Sequence, residues 1–115
     1  MTIFERVHTA LSTLGVPFAN QRYRTDTGTS LPDPHITYSL VSSAARQHAD
    51  DDETARSHRV QVNVFSRTGL VTLPDIDGAM KAAGFVPAGK RQLPSEPDSD
   101  WFGLAQDYVY LEDLP

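Results

Sequence analysis

Cysteine is absent from this chain. Disulfides, thiolate nucleophiles and cysteine-based zinc sites are therefore excluded together. Basic residues are scarce as well: ten Lys and Arg stand against fifteen Asp and Glu, for a formal charge of -5. Non-specific affinity for nucleic acid comes mainly from clustered Lys and Arg, so a phosphate backbone is not an expected ligand. Long apolar runs are missing too. No segment approaches the ~20 apolar residues of a membrane span. The stretch MTIFERVHTALSTLG carries charges and a histidine where a signal peptide has a continuous apolar core. Residence in the cytoplasm, away from membranes, is the expectation.

What is present fits an ordinary folded domain. Apolar residues make up 39% of the chain and charged residues 22%, too apolar a balance for intrinsic disorder. A length of 115 residues can bury one core but not two, which predicts a single domain over 1–115.

Periodicity then assigns the elements. Thr2 and Glu5 have capping-box spacing, and Ile3, Val7, Leu11 and Leu14 share a helical face up to the stop signal of Gly15 and Pro17. This predicts a helix over 3–14. FANQRY, 18–23, reads as a short strand, and the loop-forming RTDTGTSLPDP follows it. HITYSLV alternates, with Ile36, Tyr38 and Leu40 opposite Thr37, Ser39 and Val41. RVQVNVF alternates more clearly, placing Val60, Val62 and Val64 on one face and Arg59, Gln61 and Asn63 on the other. The segment between these strands is most polar at its centre, which predicts a long hairpin with its tip near Asp50 to Thr54. Thr72 and Asp75 suggest a second capping box, with Pro74 in the first turn of a helix over 73–83 and Gly84 as its left-handed cap. Strands around 85–93 and 104–111 complete the chain. The expected fold is α+β: an antiparallel or mixed sheet of four to five strands, two helices packed on one face, and a long central hairpin.

The stretch HADDDETARSHRVQVNVF, 48–65, raises the question of a site. A calcium-binding EF-hand loop needs ligands at alternating positions with a glycine at the sixth, whereas consecutive strand or turn residues point in different directions. Asp50, Asp51, Asp52 and Glu53 therefore read as a solvated turn, screened by Arg46, Arg56 and Arg59 and suited to docking on another subunit. The histidines, at 8, 35, 48 and 58, form no HExxH pair, although His48 and His58 could face each other across the hairpin. Neither a GxSxG elbow nor a GxxxxGK phosphate loop occurs. The carboxylate pairs Asp98 with Asp100 and Glu112 with Asp113 sit in turn-like or terminal segments, where water keeps both members ionised. Trp101 and Phe102 could be an exposed aromatic contact, since Trp is favoured at interfaces, but core packing at the start of the last strand is the first expectation. No catalytic, cofactor-binding or metal residue is assigned, and the chain is not expected to be an enzyme.

Taken together, PHITYSLVSS, HADDDETARSHRVQVNVFS and AGFVPAGKR resemble the small tail-completion or tail-terminator proteins of long-tailed bacteriophages and prophages. The matching pieces are Pro34, Ile36 and Tyr38; Ala49 and Asp50; Arg59 to Val64; and Gly84 with Phe85. The likeness spans nearly the whole chain and rests on structural motifs. Its C-terminal LAQDYVYLEDLP departs from the longer basic or aromatic final strand of that pattern.

The resemblance implies a structural virion protein, made in the host cytoplasm and resident in the tail. It would form a ring, hexameric when assembled, that ends tail-tube growth and prepares the surface joining the head. Its partners would be copies of itself, the tail-tube protein and a head-side connector, with DNA passing through unrecognised. The residues expected at such contacts are Arg46, His48, Asp50, Asp51, Asp52, Glu53 and Arg56, together with the loop from 24 to 34. Two other readings remain open from the sequence. One is a small ligand-binding or regulatory domain with a pocket of Tyr38, Phe65, Trp101 and Tyr108. The other is a metal-dependent hydrolase using His48, Asp50 and Asp52.

Overall fold

A computed structural model describes residues 2–21, 31–49, 52–71, 73–94 and 101–113, with the backbone alone at 44–49, 52–54 and 113. Two helices, α1 (Ile3–Ser12) and α2 (Ile76–Ala82), accompany five strands: β1 (Phe18–Asn20), β2 (His35–Ala49), β3 (Asp52–Ser66), β4 (Val86–Leu93) and β5 (Phe102–Asp113). The strands form one mixed sheet in the order β1-β2-β3-β5-β4. The pair β1–β2 is parallel and the other neighbours are antiparallel. The α+β class and five-stranded mixed sheet agree with expectation. Fifteen-residue strands at about 3.3 Å per residue account for a molecule 54 Å long and only 26 × 23 Å across.

The apolar stripe of α1 explains its place. Ile3, Val7, Ala10 and Leu11 are buried, and the Thr2 hydroxyl accepts the Glu5 amide at 3.2 Å. The reciprocal half of the expected capping box is replaced by a contact of the Thr2 hydroxyl with the Glu5 carboxylate, 3.4 Å. The helix ends at Ser12 rather than 14, because 13–15 turn and Gly15 takes a φ of +69°. Strand β1 also stops early. Gln21 adopts a φ of +65° while its amide still bonds the Tyr38 carbonyl, so the chain leaves the sheet there.

Helix α2 begins at Ile76, later than expected, because Asp75 itself is the N-cap and accepts the Gly78 amide at 3.0 Å. Pro74 thus precedes the cap, and Thr72 lies outside the described residues. Gly84, at φ +93°, ends the turn that leads into β4.

One contiguous core joins both helices to a single sheet face. Ile36 and Tyr38 from β2, Val60, Val62 and Val64 from β3, and Tyr108 from β5 pack with Val7, Leu11, Ile76, Met80 and Phe85. The alternation holds along β2 until Val41, which is extra in the register between Leu40↔Val60 and Ser42↔Arg59. Pairing of β2 with β3 runs from His35↔Phe65 to Ala49↔Asp52, and residues 50 and 51 lie outside the described set. Asp52, Glu53 and Thr54 belong to strand β3, where a turn was expected.

Candidate interaction surface

Because both helices pack on one face of the sheet, the other face is left without a helical layer. Across it run Thr37 and Ser39 of β2, Arg59, Gln61, Asn63 and Phe65 of β3, and Gly103, Ala105, Asp107, Val109 and Leu111 of β5, placed side by side by the register. Gly103 and Ala105 of β5 are buried on this face beneath flanking side chains, with Leu93 and Phe65 lying over Gly103. At Gly103 an added Cβ would meet Leu93 Cδ1 at 2.9 Å and the Phe65 ring at 3.0 Å, so a larger residue would displace these side chains.

Charge and polarity are arranged unevenly over this face. Arg59 binds Asp107 through Nη2 at 2.7 Å and Nε at 3.3 Å. Beside that pair lies a cleft of about 190 Å³, lined by Arg59, Asp107, Ala105 and the β4 residues 88–91. Ala88 is extra in the register between Pro87↔Tyr108 and Gly89↔Asp107, and Gly89 beside it takes a φ of +144°. Further along, Val86 is 63% exposed opposite Val109, and Leu111 is 56% exposed, giving an apolar corner. At the other end, His35 stacks on Phe65 and meets the edge of Trp101, over which the Arg67 guanidinium lies. The carbonyl oxygen of Asn63, buried near Thr37, has no hydrogen-bond partner among the described residues. Strand β4 is one of the two sheet edges, and every residue from Val86 to Gln92 is exposed. Its Pro87, Lys90 and Arg91 are the kinds of residue that discourage indiscriminate edge pairing.

On the opposite face, a polar network ties α2 to the sheet. The buried Tyr108 hydroxyl donates to the Asp77 carboxylate, and Lys90 Nζ lies 2.7 Å from the other Asp77 oxygen. Gln106 also meets the hydroxyl. A phenol has one proton, so with Asp77 accepting it the Gln106 amide presents its NH₂ to the phenol oxygen. The Lys90 and Tyr108 hydrogen bonds hold the Asp77 carboxyl below the usual carboxylate range. Burial first, and the hydrogen bond to Asp77 second, push the Tyr108 phenol up. Burial also raises Tyr38.

The expected contact residues are placed as follows. Arg46, His48, Asp52 and Glu53 occupy the far ends of β2 and β3, where backbone register sets His48 opposite Glu53 and Ala49 opposite Asp52. Asp50 and Asp51 lie outside the described residues, as does most of the loop from 24 to 34. Arg56 is half-buried in β3. His58 does not face His48: its β2 partner is Ser43, because the register of 15-residue arms puts the two histidines on unrelated rungs. Arg59 neutralises Asp107 rather than screening the acidic run. The four aromatics proposed as a pocket do not converge, since Tyr38 and Tyr108 sit in the helix-side core while Phe65 packs with Trp101 and His35 on the opposite face. Among the described residues, no group of three or more His, Asp or Glu is placed to hold a metal ion, and no helix is long and apolar enough to cross a membrane.

The Arg59–Asp107 pair, the Asp77–Tyr108–Lys90 network and a contact between Ser43 and His58 were not singled out from the sequence. Each joins residues far apart in the chain and becomes visible only once β3 is set against its neighbours. Compared with family models and with curated proteins, the chain matches none.

Proposed function

We propose that this chain is a ring-forming structural subunit that completes a phage or prophage tail, ending tube growth and presenting a surface for the head. The observation that supports this reading most is the one-sided sheet. Its unlayered face, apolar Val86–Leu111 corner and fully exposed β4 edge are surfaces that a second copy could cover. A head-to-tail contact between different surfaces of identical subunits closes into a ring when its rotation permits. The acidic balance of the chain suits a ring through which DNA passes without adhering. In this reading the far ends of β2 and β3, with Arg46, His48, Asp50, Asp51, Asp52, Glu53 and Arg56, reach a neighbouring subunit, the tail tube or the connector.

Deleting the coding sequence from the genome that carries it tests this directly. Tubes of uncontrolled length and unjoined heads are expected by electron microscopy, and restoration of joined particles when the gene is returned. Normal particles in its absence would refute the proposal.

A further inference from the structure

Three neighbouring strands bring a hydroxyl, an imidazole and a carboxylate into line near the first turns of α1. Ser43 of β2 and Tyr110 of β5 are the register partners of His58 on either side. Glu112 lies two residues beyond Tyr110, on the same face of β5. Ser43 Oγ lies 2.7 Å from His58 Nδ1, and Glu112 Oε1 lies 3.6 Å from His58 Nε2. The His58 side chain is 9% exposed and that of Glu112 25%, while Ser43 is half-buried, so the imidazole is enclosed between its two neighbours.

The Glu112 carboxylate lies 3.6 Å from Nε2, beyond hydrogen-bond distance; in the tautomer with the ring proton on that nitrogen, the Nδ1 lone pair accepts from the Ser43 hydroxyl. Among the described residues His58 Nε2 makes no full hydrogen bond, as is common for catalytic contacts in ligand-free proteins. The ring is used in the reverse sense to the familiar serine hydrolase arrangement, but the roles are the same: nucleophile, base and a group that orients the base. A second unsatisfied donor lies close by. Arg6 places its guanidinium 4.6 Å from the centre of the Tyr110 ring, and its buried Nε has no partner among the described residues.

We infer that Ser43 is a nucleophile toward activated carboxylic esters, with His58 as its base and Glu112 as a positioning residue. Ser43 Oγ adds to the carbonyl carbon as its proton passes to His58 Nδ1. The bond to the leaving oxygen then breaks, and that oxygen takes the proton from His58. Water, giving its own proton to the same nitrogen, attacks the acyl-serine; the acid departs and Ser43 recovers its hydroxyl. This inference is independent of the tail reading, since it uses neither the unlayered sheet face nor the acidic tip.

The test uses the full chain with p-nitrophenyl acetate and a fluorophosphonate probe, located by peptide mass spectrometry. One label per chain, on Ser43, is expected. Ser43→Ala should lose it and reduce ester turnover by about 100-fold or more, within the range that general-base assistance supplies. Glu112→Gln should lower kcat about tenfold with KM and the urea midpoint unchanged, a split that a purely structural carboxylate would not produce. Labelling no greater in the native chain than in Ser43→Ala, or native turnover in Glu112→Gln, would overturn the assignment and leave a cross-strand polar ladder.

Discussion

At Tyr108 a single hydroxyl couples α2 to β5, and through Asp77 and Lys90 to β4. Hydrogen bonds to charged groups contribute about 1.5–3 kcal/mol. Tyr108→Phe, which leaves the ring in place, should therefore lower unfolding free energy by about that amount in urea titrations. Titration adds a signed expectation. The folded Asp77 carboxyl is held below its ordinary value, so its contribution is complete at neutral pH and is lost as pH falls through about 4 and below. Asp77→Asn should lose less stability between pH 7 and about 3 than the native chain; parallel curves would contradict the role. The phenol of Tyr108 has the opposite sign. Its folded value is raised, so the unfolded chain ionises first and stability should fall above pH 10, the ordinary tyrosine value. Ser43 illustrates what residue-level reading misses. No motif distinguishes it from the chain's other serines, and its meaning comes only from the rung that puts it opposite His58.

At the scale of elements, the periodic segments were the legible ones. RVQVNVF placed Val60, Val62 and Val64 in the core and Arg59, Gln61 and Asn63 on the other face, because a period of two leaves a half-buried strand no alternative. The helix starts and stops were less legible. Asp75 and Thr72 are both competent caps by composition, and the bond from the Gly78 amide decides for Asp75. The short α2 depends on its packing, since seven residues cannot sustain a helix by propensity. Met80→Ala, at a fully buried position, should cost about 2–5 kcal/mol. Gly84→Ala should also destabilise, by about 1–2 kcal/mol from its left-handed conformation. Its new methyl carbon would stand 3.2 Å from the Tyr110 ring. Phe4→Ala on α1, 42% exposed, is the control and should change stability by less than about 0.5 kcal/mol.

At the scale of the whole molecule, composition and element order carried the fold class but not the sheet order. That β5 rather than β4 lies against β3 depends on pairing across the full length of 102–113 with 55–66, which alternation within one strand cannot specify. The same register creates the unlayered face, so the proposed interface was invisible until the strands were ordered. The acidic run was legible as a polar segment between two pairing strands; Asp52 and Glu53 open β3, while Asp50 and Asp51 lie outside the described residues. Reversing the charge of Asp50, Asp51 and Asp52 should block joining to the head or tube while leaving the urea midpoint of the isolated chain unchanged; joined particles formed by that variant would remove the docking role.

Ring formation itself is the central claim, and native mass spectrometry of the purified chain over rising concentration, paired with negative-stain microscopy, measures it. The account predicts a closed oligomer of one size, six copies, that is lost in a Val86→Glu, Leu111→Glu variant whose urea midpoint is unchanged. A chain that stays monomeric at every concentration, or a closed ring that survives both substitutions, would contradict it.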